Sequence, residues 1–80
     1  MIIYGTDLCP DCVACKADLD QAQVRYEYRN ITENLKFMKE FLALRDQKVI
    51  FHDVKRSGSI GIPAILLDSG EVTLSWETLI

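Results

Sequence analysis

The chain has 80 residues, a formal net charge of −3 and a hydrophobic fraction of 49%, which suits one domain with a small core. The acidic balance argues against nucleic acid and anionic membrane surfaces as partners, since both require clustered Lys and Arg. No segment is apolar over the length needed to span a bilayer. No basic segment followed by an apolar stretch marks a signal peptide. The sequence therefore predicts a monomeric, cytoplasmic single domain covering residues 1–80.

The first predicted elements are a strand and a helix. Ile2–Gly5 is a short apolar run, typical of a buried strand. A helical pattern follows, from residue 10 to about residue 22. The residues expected on the inner face of this helix are small and apolar: Val13, Ala14, Ala17 and Ala22.

The next predicted elements are a second strand and a second helix. Alternation of apolar and charged residues predicts the strand at residues 24–29. This strand either has one solvent-exposed face or lies at the edge of the sheet. Thr32 is predicted to cap the helix that follows. That helix carries apolar residues at helical spacing, among them Leu35, Met38 and Phe41.

The second half of the chain predicts a short helix and a hairpin. Residues 48–56 fit the helix, and Ser57-Gly58 would end it. Gly61-Ile62-Pro63 precedes an apolar run, and Asp68-Ser69-Gly70 supplies turn residues before a second alternating run. The order is β-α-β-α-β-β, whose first strand-helix-strand unit closes as a parallel pair with a right-handed crossover. We predict an α/β fold with a four-stranded mixed sheet flanked by helices, and only a helical turn at residues 76–80.

The tetrapeptide Cys9-Pro10-Asp11-Cys12 lies between the first strand and the first helix. Two thiols separated by two residues at such a position are typical of a redox pair. Proline is favoured at the first helical position, so Pro10 predicts that Cys9 caps the helix. Unpaired N–H groups and the helix dipole would then stabilise a thiolate at Cys9. The competing interpretations are a chance CxxC and half of a zinc site. Tyr4 and Leu8 are candidates to flank the pair.

Spacing favours a disulfide between Cys9 and Cys12 that leaves Cys15 free. Residues three apart within a helix have Cβ atoms about 5–6 Å apart, whereas a disulfide requires about 3.5–4.5 Å. Cys9 lies just outside the regular helix and can close that gap. Cys15 is then expected to be a small buried residue on the inner face. The alternative is that the three cysteines hold a metal or a cluster. No fourth ligand is evident, so we predict no metal site.

On two motifs the chain resembles the glutaredoxins, which have a thioredoxin-like fold. Cys9-Pro10-Asp11-Cys12 is similar to the family's Cys-Pro-x-Cys, and Ile62-Pro63 stands where the family has a Val-Pro or Ile-Pro with a cis peptide bond. The resemblance implies that Cys9 is the nucleophile and that Cys12 resolves the mixed disulfide. It also implies that the cis-proline loop lies against the cysteine pair. The backbone of Ile62 would pair with an extended substrate, often glutathione. The family's C-terminal helix would be short or missing.

Two features depart from the family pattern. Thr6 stands where many glutaredoxins have a lysine for a glutathione carboxylate, and Thr73-Leu74 stands at the family's Gly-Gly pair. These departures imply weak binding of glutathione, or a protein disulfide as the substrate instead.

Asp7 and Asp11 place negative charge near Cys9 and disfavour its thiolate, an effect that Lys16 would partly offset.

The residues and the resemblance together predict a small thiol–disulfide oxidoreductase that reduces protein or glutathione mixed disulfides by dithiol exchange. No cofactor is expected to be bound, and glutathione is a candidate co-substrate. The partners would be disulfide-containing proteins, and glutathione or a flavin-dependent reductase would supply electrons. Two alternatives stay open: a metal or iron–sulfur cluster carrier that uses Cys9, and a non-enzymatic adaptor that keeps only the fold.

Overall fold

The computed structural model describes all residues, Met1–Ile80, and shows one mixed sheet with three helices. The strands are β1 (Ile2–Gly5), β2 (Glu27–Asn30), β3 (Ala64–Leu66) and β4 (Val72–Thr73). The helices are α1 (Pro10–Gln21), α2 (Leu35–Gln47) and α3 (His52–Ser57), with 3-10 turns at Val49–Phe51 and Trp76–Leu79. The predicted α/β, thioredoxin-like fold is confirmed, and the C-terminal helix is reduced to the second of these turns. None of the helices has the length and apolar character needed to cross a membrane.

The strand order across the sheet is β2-β1-β3-β4. β1 pairs in parallel with β2 and antiparallel with β3, and β3 pairs antiparallel with β4. Ile3 of β1 lies opposite Tyr28 on one side and Ile65 on the other. The chain leaves β1 at Gly5 and enters α1 at Pro10, so the N-terminus of α1 lies at the carboxyl end of a central strand. Ligands of α/β sheets commonly bind at this end.

Successive residues of β1 point to opposite faces of the sheet, and each face carries its own core. The core on the side of α2 is formed by Tyr4, Ile31, Phe41, Phe51 and Ala64. The core on the side of α1 is formed by Ile3, Cys15, Leu19 and Ile65. The two helix layers are therefore held to the sheet by separate apolar clusters.

The inner face of α1 differs from the prediction. Its buried residues are Cys12, Cys15 and Leu19, whose i, i+3, i+7 spacing puts them on one face. The four residues expected inside are exposed instead: Val13, Ala14, Ala17 and Ala22. The prediction is wrong because the two inner cysteines act as small hydrophobic residues and form the apolar face themselves. The interpretation of Cys15 as a small buried residue is confirmed.

β2 begins later than predicted because Val24 takes part in the end of α1. Gln23 has a φ of 58°, in the left-handed region. The N–H of Val24 donates to the carbonyl of Leu19 over 2.9 Å, and the N–H of Gln23 donates to that of Asp20 over 3.1 Å. These two bonds form a Schellman motif, which takes Val24 out of the predicted strand. The predicted position at a sheet edge is confirmed.

The cap of α2 is Asn34 rather than the predicted Thr32. The Oδ1 atom of Asn34 accepts a hydrogen bond from the N–H of Lys36 over 2.9 Å. The hydroxyl of Thr32 is used elsewhere, because it donates to Asn30 Oδ1 over 2.7 Å and lies 2.8 Å from the hydroxyl of Thr6. Thr32 therefore ties the segment before α2 to the loop before α1.

The loop between α3 and β3 contains the second predicted motif. α3 ends at Ser57, and the C-cap residue Gly58, with a φ of 78°, supplies the predicted helix stop. The Ile62-Pro63 peptide bond is cis, as the resemblance implies. Arg45 of α2 holds this loop, since Nε donates to the carbonyl of Ile60 and Nη2 to that of Ser59, each over 2.9 Å.

Candidate active site

Cys9 lies at the N-terminus of α1 and is half-buried. It is the N-cap residue, and its Sγ atom accepts a hydrogen bond from the N–H of Cys12 over 3.4 Å. Its own N–H donates to the carbonyl of Thr6, and its carbonyl accepts from the N–H of Val13, both over 3.1 Å. Pro10 occupies the first helical position, as predicted. The sulfur therefore faces the positive end of the helix dipole, which favours negative charge.

Cys12 is fully buried against the end of β1. A Cβ atom placed on Gly5 would lie 2.8 Å from Cys12 Sγ and 3.3 Å from Cys12 Cβ, so the glycine leaves the space that this thiol fills. The ring of Tyr28 bounds the same space, with Cε1 3.5 Å from that Cβ position. Cys12 has no exposed surface and Cys9 is half-buried, so Cys9 is the more accessible of the two thiols.

Replacing Gly5 with alanine should destabilise the protein by about 1–3 kcal/mol, because the added methyl group overlaps Cys12 Sγ. It should also slow formation of a Cys9–Cys12 disulfide, since Cys12 has to move. Urea unfolding and oxidation followed by alkylation measure the two effects. The control is Gly5→Ala in a Cys12→Ala chain, where the loss of stability should be smaller. Equal losses in both backgrounds would show that the strain does not come from Cys12.

Burial keeps the two inner thiols protonated at neutral pH. Desolvation raises the pKa of Cys12, and a hydrogen bond from the Thr6 backbone acts in the opposite direction without cancelling this effect. The pKa of Cys15 is also raised, to about 11. Desolvation is the largest cause, and the negative charges of Asp18 and Glu77 act in the same direction. No group of three or more His, Cys, Asp or Glu side chains is arranged to hold a metal ion. Cys15 packs into the core beneath α1 instead of joining the other two thiols.

The carboxylate of Asp7, in the loop before α1, is engaged by two neighbours. Lys16 Nζ donates to Asp7 Oδ1 over 2.7 Å, and the hydroxyl of Tyr28 donates to the same oxygen over 3.1 Å. The ammonium of Lys16 also lies 3.9 Å from the centroid of the Tyr28 ring. The hydrogen bond from Lys16 is the first cause of the lowered pKa of Asp7, and the bond from Tyr28 is the second. The predicted compensation by Lys16 therefore takes the form of an ion pair with Asp7.

A groove of about 470 Å³ runs beside Cys9, between the loop after β1 and the cis-proline loop. It is lined by Thr6, Leu8, Cys9, Thr32 and residues 59–62. The backbone N–H and C=O of Ile62 make no hydrogen bond within the chain. They are free to pair with an extended segment that lies in the groove next to Cys9.

Hydrogen bonds hold the threonine wall of this groove in place. The hydroxyl hydrogen of Thr32 is donated to Asn30 Oδ1 over 2.7 Å, so Thr6 must be the donor in the 2.8 Å contact between the two threonine hydroxyls. Thr6 Oγ1 in turn accepts a bond from the N–H of Leu8 over 3.3 Å. Thr6 is 6% exposed, and its hydroxyl is committed to the protein rather than to a ligand.

The structure brings most of the predicted site residues together. Cys9 and Ile62 line one groove, Cys12 lies directly behind Cys9, and Pro63 is buried next to Ile62. Pro10 and Asp11 are exposed in the first turn of α1 and do not line the groove. Their place in the molecule is at the helix terminus.

Other site residues have no motif from which they could have been predicted. Leu8 lines the groove, as its nearness to Cys9 suggests, whereas Tyr4 does not. Tyr4 is buried on the α2 side of the sheet, where its hydroxyl donates to Glu40 over 2.9 Å. Thr32 and Ile60 reach the groove from segments far from the cysteines in sequence, and nothing local marks them as site residues.

Comparison with known proteins agrees with this geometry. A family model described as Glutaredoxin matches residues 1–69, a span that includes both motifs of the site. An uncharacterized protein of Haemophilus influenzae is 37% identical over 78 residues, which cover 98% of this chain and 91% of that protein. No solved structure gives a significant match. The chain belongs to the glutaredoxin family.

Proposed function

We propose that the protein is a thiol–disulfide oxidoreductase that reduces protein or glutathione mixed disulfides by dithiol exchange through Cys9 and Cys12. The observation that carries the proposal is the position of Cys9. Its sulfur caps α1, borders the groove and accepts the N–H of Cys12. The unpaired backbone of Ile62 lies in the same groove. Membership of the glutaredoxin family supports thiol redox chemistry.

In the first step, the thiolate of Cys9 attacks one sulfur of the substrate disulfide. The substrate S–S bond breaks, a mixed disulfide forms between Cys9 and the substrate, and the other substrate sulfur leaves as a thiolate. The N–H of Cys12 and the helix terminus stabilise the attacking anion. The N–H and C=O of Ile62 hold the substrate segment extended along the groove.

In the second step, Cys12 attacks the Cys9 sulfur of the mixed disulfide. Cys12 must first lose its proton, which burial makes difficult because it raises the pKa of this thiol. The substrate thiolate released in the first step is a base that can accept the proton. Attack by the Cys12 thiolate then releases the second substrate sulfur. The substrate leaves as one thiol and one thiolate, having gained two electrons, and the protein retains a Cys9–Cys12 disulfide.

Regeneration of the dithiol requires two electrons from glutathione or from a flavin-dependent reductase. No bound cofactor enters either step, and glutathione would act as a co-substrate. We place the protein in the cytoplasm, where thiols are kept reduced, as a monomer that acts on disulfide-containing proteins. The reducing form is the one in which Cys9 and Cys12 are both free thiols.

A redox titration in glutathione buffers, followed by alkylation mass shift, tests the proposal. We expect one two-electron transition that involves Cys9 and Cys12 and leaves Cys15 reduced. A midpoint at about −200 to −230 mV would be typical of glutaredoxins, and one near about −270 mV would be typical of thioredoxin. The Cys9→Ser chain should show no such transition. Failure of the unmodified protein to form a Cys9–Cys12 disulfide would contradict the proposal.

A further inference from the structure

The groove beside Cys9 has no charge of its own. Apart from Cys9, no residue that lines it has an ionisable side chain. Leu8 is 83% exposed and Ile60 is 57% exposed, so each of the two loops that form the groove presents one large apolar side chain to solvent. Single exposed apolar residues are common on proteins, but these two flank the groove of a reactive sulfur.

The polar atoms of the groove wall are largely engaged within the protein. The hydroxyls of Thr6 and Thr32 bond to each other and to their neighbours. The carbonyls of Ser59 and Ile60 accept from the guanidinium of Arg45, and the hydroxyl of Ser59 bonds to that of Ser57 over 3.1 Å. The unpaired polar groups that remain for a bound segment include the backbone N–H and C=O of Ile62.

A second groove of about 360 Å³ adjoins the first on the side of α2. The residues that line both grooves are Thr6, Thr32, Ser59, Ile60 and Ile62. The second groove adds apolar side chains from α2, namely Met38, Phe41 and Leu42. Its ionisable residue, Arg45, already donates Nε and Nη2 to the loop carbonyls. The two adjoining grooves, called the path below, present apolar side chains next to Cys9, and their shared wall includes the free backbone of Ile62.

We propose that this path selects disulfides in protein segments whose cysteine is flanked by apolar residues, and that Leu8 and Ile60 set this preference. The inference rests on the thiol–disulfide exchange proposed above. Binding of an apolar flank removes Leu8 and Ile60 from water, which is favourable. Glutathione carries two carboxylates and an ammonium, whose desolvation is costly without countercharges. The groove beside Cys9 has none, and Arg45, the one cation of the second groove, already donates Nε and Nη2 to the loop. An extended apolar protein segment is therefore the occupant that matches the chemistry of the groove.

Single-turnover kinetics with three reporter disulfides test this inference. A fluorescent thiol is joined to the central cysteine of a seven-residue peptide with Val and Leu flanks, to the same peptide with Ser and Asn flanks, and to glutathione. The fully reduced protein should attack the apolar-flanked peptide at least about tenfold faster than the other two. Leu8→Ser and Ile60→Ser should each bring this ratio closer to one.

The matched control is Val49→Ser, since Val49 is 87% exposed and does not line either part of the path. This variant should keep the ratio of the unmodified protein. Equal rates for the three reporters, or a ratio that neither Leu8→Ser nor Ile60→Ser alters, would overturn the inference. Reduction of 2-hydroxyethyl disulfide distinguishes failure of the groove preference from failure of the proposed thiol–disulfide exchange. If that small neutral disulfide is reduced, only the groove preference is wrong; if it is not, the proposed exchange is wrong as well.

Discussion

Replacing Cys9 with serine should abolish the reduction of every disulfide substrate. The thiolate is the nucleophile in disulfide exchange, and a serine hydroxyl at the same helix cap cannot take its place. The backbone should be unaffected, because the hydroxyl can still accept the N–H of Cys12 as serine commonly does at a helix cap. The measurement is reporter release under single-turnover conditions, with circular dichroism to show that the variant is folded.

The other two cysteines provide the matched comparison. Cys12→Ser should still perform the first step and accumulate a mixed disulfide on Cys9, visible as a mass increase equal to the substrate thiol less two hydrogens. Cys15→Ala should complete both steps, because Cys15 packs into the core beneath α1 and lies outside the groove. A Cys15→Ala chain that folds but is inactive, or a Cys9→Ser chain that keeps its activity, would contradict the assigned roles.

Replacing Phe51 with alanine should destabilise the protein by about 3–5 kcal/mol, a large share of the roughly 5–15 kcal/mol that keeps a domain folded. Phe51 is fully buried and packs edge-to-face on Phe41, with ring centroids 5.9 Å apart. Its ring also supports the cis-proline loop, since a Cβ atom on Gly61 would lie 2.9 Å from Phe51 Cδ1. The cavity should therefore loosen the groove wall as well as the core. Urea unfolding measures the loss of stability.

Phe37→Ala is the control for this substitution. Phe37 is half-buried on α2, and its ring centroid lies 5.5 Å from the guanidinium carbon of Arg29. Phe37→Ala should lower the free energy of unfolding by less than Phe51→Ala does, because part of the Phe37 ring is already in water and the site can relax. Similar losses for the two variants would show that the core beneath the cis-proline loop is not the principal source of stability.

Several features could be predicted because they depend on residues close together in the chain. Pro10 after Cys9 predicts the start of α1, and Asp68-Ser69-Gly70 predicts the hairpin turn. The relation of Cys9 to Cys12 is also local, since one helical turn separates them. Caps, turns and dipole effects act over three or four residues, so a short sequence pattern contains the necessary information.

Two of the failed predictions concern residues whose surroundings are set by distant segments of the chain. Thr32 is an acceptable helix cap by residue type, but its hydroxyl bonds to Thr6, 26 positions away in the chain, and Asn34 caps α2 instead. On α1, Cys12 is buried because Gly5 of β1 leaves space for its sulfur. In both cases a contact between distant segments outweighs a local preference.

The sequence alone was enough to indicate the fold class, the cysteine pair and the cis-proline position, because each has a local motif and the two motifs have family-typical spacing. The groove depended on tertiary structure. Its wall combines the loop after β1, Thr32 and residues 59–62, which become neighbours only when the sheet forms and α1 and α2 pack on its two faces. Whether an apolar residue such as Ile60 is buried or exposed depends on these long-range contacts, and so does the neutral, apolar surface that the protein presents beside Cys9.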